Sequence, residues 1–292
     1  MTASTNPTVR RRQLGIELRR LREAAGLTLE EVGLRLEWSR SKVSRIETGQ
    51  VSLRVRDVED LCEVLGASKE KARELAALVR NSRQRSWWQK YSDVMPAAFG
   101  TYVALEEAAG RVQTYQTELI DGLLQTEQYA RAVFEAWMPP HQPDDVERLV
   151  QLRMTRQQRL RSKDPLAVWA IINEAALRRV VGGPKVMADQ LEHLVKLLKL
   201  PNLDIQVLPF TAGAHAAMNG PFLILSFPEI NDLDVVHLEH QAGSTFLEEP
   251  ADLKRFGLQF DHLRAQALDL PESAKTLKTI MAEYATWTTQ PD

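Results

Sequence analysis

The chain of 292 residues is 44% hydrophobic and 26% charged, with 37 Lys and Arg against 39 Asp and Glu. That make-up suits a globular protein of two domains and excludes a low-complexity chain. No apolar run approaches the roughly 20 residues a bilayer requires, the N-terminus MTASTNPTVRRRQ lacks a signal peptide's apolar stretch, and the single cysteine, Cys62, cannot pair internally or form a CxxC motif. The cytoplasm is the expected compartment, and Cys62 is read as a small buried apolar residue.

The charge is unevenly divided. Residues 1–95 hold 19 Lys and Arg against 13 Asp and Glu, a net of +6, and residues 96–292 hold 18 against 26, a net of −8. A DNA-binding module needs positive potential only over the face that meets phosphates, so the overall balance leaves the N-terminal part free to bind DNA.

Residues 1–9 are expected to form a flexible tail, and a DNA-binding domain to follow over 10–83. Leu14, Leu18 and Leu21 recur at helical spacing and Gly26 supplies a stop. Thr28 then carries an N-cap side chain, Glu31 stands three residues on as its capping-box partner, and Leu29, Val32 and Leu36 form the apolar stripe of a second helix. Ser39 caps a third, which ends at Thr48 before Gly49. At 100° per residue, Val43 and Ile46 fall on one side of that helix and Arg40, Ser41, Ser44 and Arg45 on the other. Arginines and short hydroxyls with no acid among them suit close approach to base edges, and Lys42 flanks them within reach of a phosphate. Val55, Val58, Leu61, Cys62 and Leu65 share one face of a fourth helix, with Arg54 and Arg56 at its start either phosphate contacts or solvated side chains. Ser68 caps a fifth helix running to Ser82. Two short helices joined by a tight turn, the second basic outside, make a helix-turn-helix.

The stretch LTLEEVGLRLEWSRSKVSRIETG, Leu27 to Gly49, resembles the DNA-binding domain of the Cro and phage-repressor (xenobiotic-response-element) family, with the likeness running from about Arg11 to Gly66. The resemblance implies that Arg40, Ser41, Ser44 and Arg45 touch bases and that Glu47 pairs with Arg22 of the first helix; Thr28, Ser39, Lys42, Arg54 and Arg56 are the candidates for phosphate contacts. Leu29 stands where that family often has Gln, which removes one backbone-anchoring contact.

Residues 84–100 break the helical pattern and concentrate Trp87, Trp88, Tyr91 and Phe99, with Tyr102 close behind, as at a junction between packed units. Residues 101–292 are expected to form an α+β domain, so that the molecule is helix-rich overall: a five-helix all-α bundle, then α+β. Helices are predicted near 103–118, 127–137, 144–162 and 184–200 and after Pro250 and Pro271; PLAVWAII, LDIQVLPF, PFLILSF and DVVHLEH read as strands, placed mostly late in the chain.

SWWQKY, LEEAAGRVQTYQTELIDGLLQTEQYARAVF, VVGGPKVMADQLEHL, IQVLPF and FLEEPADLKRF resemble the domain of unknown function that follows such helix-turn-helix units in actinobacterial, especially streptomycete, regulators; Asp121 replaces the proline of that family's PGLLQT. The resemblance covers nearly all of residues 85–288 and implies an antitoxin-like regulator working with a small partner protein encoded nearby.

Chemistry is sparse in this half. In HLEH, His237 and Glu239 share a strand face and His240 takes the other; His215 and His262 are further candidates for a metal, against a reading as sheet-surface residues. There is no HExxH, no G-x-S-x-G elbow and no P-loop lysine in the loop Thr211–Pro221, so no enzyme activity, cofactor or metal is expected. Arg148, Arg153, Arg156, Arg159, Arg161 and Lys163 make one helix strongly cationic; a solvated or subunit-facing helix is preferred to a second nucleic-acid surface, because Leu149, Leu152 and Leu160 demand burial. The sequence thus points to a DNA-binding transcriptional regulator, dimeric on an inverted-repeat operator and controlled through its C-terminal domain by a protein partner. A small-molecule-sensing repressor and a hydrolase with a DNA-targeting module are the alternatives.

Overall fold

The computed structural model describes residues 7–80, 87–137, 142–227 and 234–287. They fall into two compact units: one holds the described residues of Met1–Gln89, Thr101–Ala108 and Phe227–Leu233, the other those of Lys90–Gly100, Ala109–Ser226 and Asp234–Asp292. No helix among them is long and apolar enough to cross a membrane.

The first unit opens with five helices, α1 (Pro7–Ala24), α2 (Leu29–Leu36), α3 (Arg40–Glu47), α4 (Val55–Val64) and α5 (Lys69–Arg80). Helix α1 already covers residues 7–9 of the span expected to be a tail, and Val9 is fully buried; residues 1–6 lie outside the described residues. Thr28 and Glu31 form the reciprocal capping box of α2, and the hydroxyls of Ser39 and Ser68 accept the amides of Lys42 and Lys71. Leu14, Leu18, Val32, Val43, Ile46, Val58, Leu61, Cys62, Leu65 and Leu75 make one core. Each of its larger aliphatic side chains contributes roughly 1.5–3 kcal/mol by leaving water. Lys71 reaches Glu17 at 2.7 Å and ties α5 to α1.

The sheet of the second unit has the order β3-β2-β1-β4-β5-β6. Its strands are β1 (Arg111–Gln116), β2 (Ala167–Asn173), β3 (Leu203–Leu208), β4 (Phe222–Ser226), β5 (Val235–His240) and β6 (Gly243–Leu247). Strands β1, β2 and β3 run parallel, and β4, β5 and β6 continue antiparallel from β1. The helices are α6 (Ala97–Ala108), whose last part from Thr101 clusters with the first unit, then α7 (Glu127–Glu135), α8 (Pro143–Gln157), α9 (Glu174–Arg178), α10 (Pro184–Leu197), α11 (Pro250–Gln266) and α12 (Leu270–Trp287). Phe260 and Leu263 of α11 pack with Tyr115, Ile171, Phe222, Ile224 and Val236 on one face of the sheet.

The four predicted strands are present. The helix expected over 103–118 is not: it stops at Ala108, and 111–116 is the central strand β1. RVQTYQ hides its alternation because its buried positions include the polar Thr114. Asp121 supplies the missing partner: its carboxylate accepts Thr114 Oγ1 at 3.2 Å, Gln116 Nε2 at 3.2 Å and the Leu123 amide at 2.8 Å. The aspartate in the place of a turn proline therefore caps a short 3-10 turn and satisfies the central strand. Strand β6 and helix α9 were also outside the sequence reading.

Strand β3 lies at a sheet edge, yet Val207 is bonded outward on both sides. Its amide donates to Ser273 Oγ of α12 at 2.9 Å, and its carbonyl accepts the Leu268 amide at 2.9 Å. Gln206 adds a bond from Nε2 to Leu268 O at 2.9 Å. Unpaired strand edges recruit other strands, and this one is closed by side chains and a turn.

Candidate nucleic-acid interface

Helix α3 owes its setting to two close approaches that only glycine permits. A Cβ on Gly15 of α1 would lie 2.3 Å from Glu47 O, and one on Gly33 of α2 would lie 2.6 Å from Trp38 O. The first lets α1 touch the end of α3; the second lets the α2–α3 turn fold back, with the Trp38 amide donating to Gly33 O at 2.8 Å and Glu37 in the left-handed region at φ 55°. Val43 and Ile46 then enter the core, which turns the opposite side of α3 outward.

Arg22 and Glu47 meet as a fork. Arg22 Nε donates to Glu47 Oε1 at 2.7 Å and Nη2 to Oε2 at 3.0 Å, while Nη1 donates to Leu27 O at 3.0 Å. The two side chains are 13% and 8% exposed, so solvent screens the pair weakly. The bond to Glu47 raises the Arg22 pKa above its ordinary value. The acid that ends α3 is thereby turned away from the outer face.

That face carries Arg40, Ser41 and Arg45, all exposed, with Ser44 half-buried. Neither arginine has an ion-pair partner among the described residues, so their charge is available to a ligand. Lys42 lies beside them with its ammonium 3.5 Å from the centre of the Trp38 ring. Arg54 and Arg56 are exposed at the start of α4. The two capping hydroxyls differ. Ser39 Oγ accepts the Lys42 amide and keeps its proton for another acceptor. Thr28 Oγ1 accepts the Glu31 amide at 3.2 Å and donates to Glu31 Oε2 at 2.8 Å, beside a carboxylate whose pKa is lowered by the Thr28 amide. Of the phosphate candidates, Thr28 has both hydroxyl functions engaged inside its own cap.

Residues 13–75 match the helix-turn-helix domain family. Residues 99–279 match the family described as a domain of unknown function, DUF5753. The chain belongs to the DUF5753 family. No curated protein and no solved structure matches it. The helix-turn-helix match makes it a DNA-binding regulator, with α2 and α3 inside the matched stretch and a DUF5753 domain following in the sequence.

The other sequence candidates lie in the DUF5753 domain. His237 is buried, its ring 4.9 Å from that of Phe246; Glu239 is exposed, and His240 Nε2 is 3.1 Å from Thr245 Oγ1. His215 Nε2 lies 3.1 Å from Tyr115 Oη, and His262 is exposed on α11. Among the described residues no three His, Cys, Asp or Glu side chains gather as a metal site would require. The cationic helix is neither solvated nor a basic face along most of its length. Arg148 forks onto Asp93 at 2.6 and 2.7 Å, Arg153 stacks on Phe134 and donates to Gln125, Arg156 is buried against Phe99, and Arg159 donates to Ala109 O; Arg161 and Lys163 stay exposed. The spacing showed the cations, but their acceptors lie on distant segments that no local pattern names.

The junction aromatics divide between the units. Trp87 meets Trp88 edge to face at 6.1 Å and donates to Glu107 at 2.9 Å in the first. In the second, Tyr91 is buried.

Proposed function

We propose that the chain is a transcriptional regulator that reads an inverted-repeat operator as a dimer through Arg40, Ser41, Ser44 and Arg45, with Ser39, Lys42, Arg54 and Arg56 on the phosphates, rather than a hydrolase. The observation that carries this reading is the outer face of α3: two uncommitted arginines and two hydroxyls, with the helix's single acid drawn off by Arg22. Arginine forks match the two acceptors of guanine in the major groove. A single module of this size spans few base pairs, and two on a twofold axis double the information. Control by a protein partner is supported by an open depression of about 540 Å³ in the DUF5753 domain, lined by Leu119, Ala132, Val133, Trp137 and Val180. Exposed apolar surface of this kind suits a protein better than the closed cavity a small effector fills.

The test is selection of genomic fragments by the full-length protein, with identification of the proteins that co-purify. Recovery of one inverted repeat and one small protein is the expected result. Fragments with no shared sequence would remove the operator reading, and a partner-free preparation that binds the repeat just as the preparation with partner does would remove the partner.

A further inference from the structure

We infer that Trp38 is a positioning residue of the DNA interface: its indole holds the Lys42 ammonium on station for a phosphate beside the first turn of α3. The inference rests on the DNA-binding reading above and adds to it a residue that lies inside the motif but off the recognition face, and to which the motif assigned no role.

The argument begins with charge. Cations held in place on this module are mostly held by acids: Arg19 by Glu23, Arg20 by Glu17, Arg22 by Glu47, and Lys71 by Glu17 and Glu74. Each acid that fixes a cation also cancels its field, so such a pair offers little to a polyanion. Lys42 is fixed differently. Its Nζ sits 3.5 Å from the centre of the Trp38 ring, and no carboxylate among the described residues bridges to it. An aromatic face attracts an ammonium through its quadrupole and carries no net charge, so the cation is localised and keeps its full attraction for phosphate. A lysine otherwise loses freedom about several rotatable bonds when it binds, and a side chain held beforehand loses less.

The ring is itself anchored. Trp38 is half-buried against the bundle core, and its backbone is pinned by its amide N–H, which donates a hydrogen bond to Gly33 O at 2.8 Å. Gly33 admits that bond because a side chain there would strike Trp38 O. The chain of cause runs from Gly33 to the turn, from the turn to the indole, and from the indole to Lys42, whose backbone amide is already fixed by the Ser39 cap at 3.1 Å.

The probe is a random-sequence duplex of about 25 base pairs, bound by the full-length protein over a range of salt. Lys42→Ala should weaken binding several-fold and flatten the salt dependence by about one counterion. Trp38→Leu, which keeps apolar bulk without the quadrupole, should weaken it about two- to fivefold, and Trp38→Phe less. The double variant W38L/K42A should bind no worse than Lys42→Ala alone. Losses that multiply in the double variant, or a Trp38→Leu protein as tight as wild type, would overturn the inference. Should Trp38→Leu not fold, the wild-type protein still decides: the Lys42 ε-methylene protons should be shifted upfield by the ring in free and duplex-bound protein, and ordinary shifts would refute it. If Lys42→Ala changes neither affinity nor slope while wild type binds, this inference fails and the DNA reading stands. If wild type does not bind duplex at all, both fail.

Discussion

Glu47 is the one acid in α3, and what it does there depends on Arg22. Replacing it with Gln keeps the shape and leaves a guanidinium that is 13% exposed without its counter-charge. The cost should be about 1–3 kcal/mol in chemical denaturation, with weaker operator binding because α3 loses its tie to α1; an unchanged unfolding midpoint would show the fork to be ornamental. On the outer face, Arg40→Ala and Arg45→Ala should each cost about 1–3 kcal/mol on the operator and relax preference at one base pair. Selection from randomised sites separates this from phosphate binding, in which every sequence weakens alike. A third residue makes stability depend on pH. His193 of α10 has Nε2 buried without a hydrogen-bond partner, and its pKa is lowered by burial first and then by Arg161 and Lys196. The unfolded chain therefore takes the proton more readily, so the stability His193 confers is present above its ordinary value near 6.5 and drains away as pH falls toward the lowered folded value. His193→Phe should show a shallower loss of melting temperature between pH 7 and pH 5 than wild type. Parallel curves would assign the acid sensitivity elsewhere, with His215, also lowered by burial, the next to test.

Among the elements, β3 and α12 are joined by one hydroxyl. Ser273→Ala removes the acceptor of the Val207 amide and the donor to Leu268 O, and should cost about 1–3 kcal/mol, with faster hydrogen exchange at Val207; exchange as slow as in wild type would mean that packing of α12 alone guards the edge. The same contrast between local and distant partners explains how much could be read from the sequence. The caps at Thr28, Ser39 and Ser68, the apolar stripes of the bundle and the strands LDIQVL and FLILS were legible because their signals lie within a few residues. The strand β1 was not, because Thr114 and Gln116 are satisfied by Asp121 across a turn and look like helix-surface residues without it. At the interface, the outward arginines of α3 followed from periodicity alone. The commitment of Thr28 to its own cap did not, since the same hydroxyl at the same place suits either role. The Trp38–Lys42 contact spans only four residues but crosses the start of a helix, where the regular i, i+4 rule does not apply.

For the whole molecule, the proposed twofold sets a length. Two copies of α3 should enter successive major grooves with half-site centres about 34 Å apart, and footprinting of the full-length protein should protect a symmetric site of that spacing; a monomer in solution protecting an asymmetric site would discard it. The closure of β3 bears on how the chain is made. Val207 leaves the ribosome 66 residues ahead of Ser273, so for that interval the edge of LDIQVL waits uncovered while the rest of the sheet is being synthesised. An apolar strand edge in that condition is a template for other nascent chains. A product released early, ending before Leu270, would keep the six strands and lack the hydroxyl that closes the β3 edge, and it should be found in aggregates or with chaperones while the full-length protein is not.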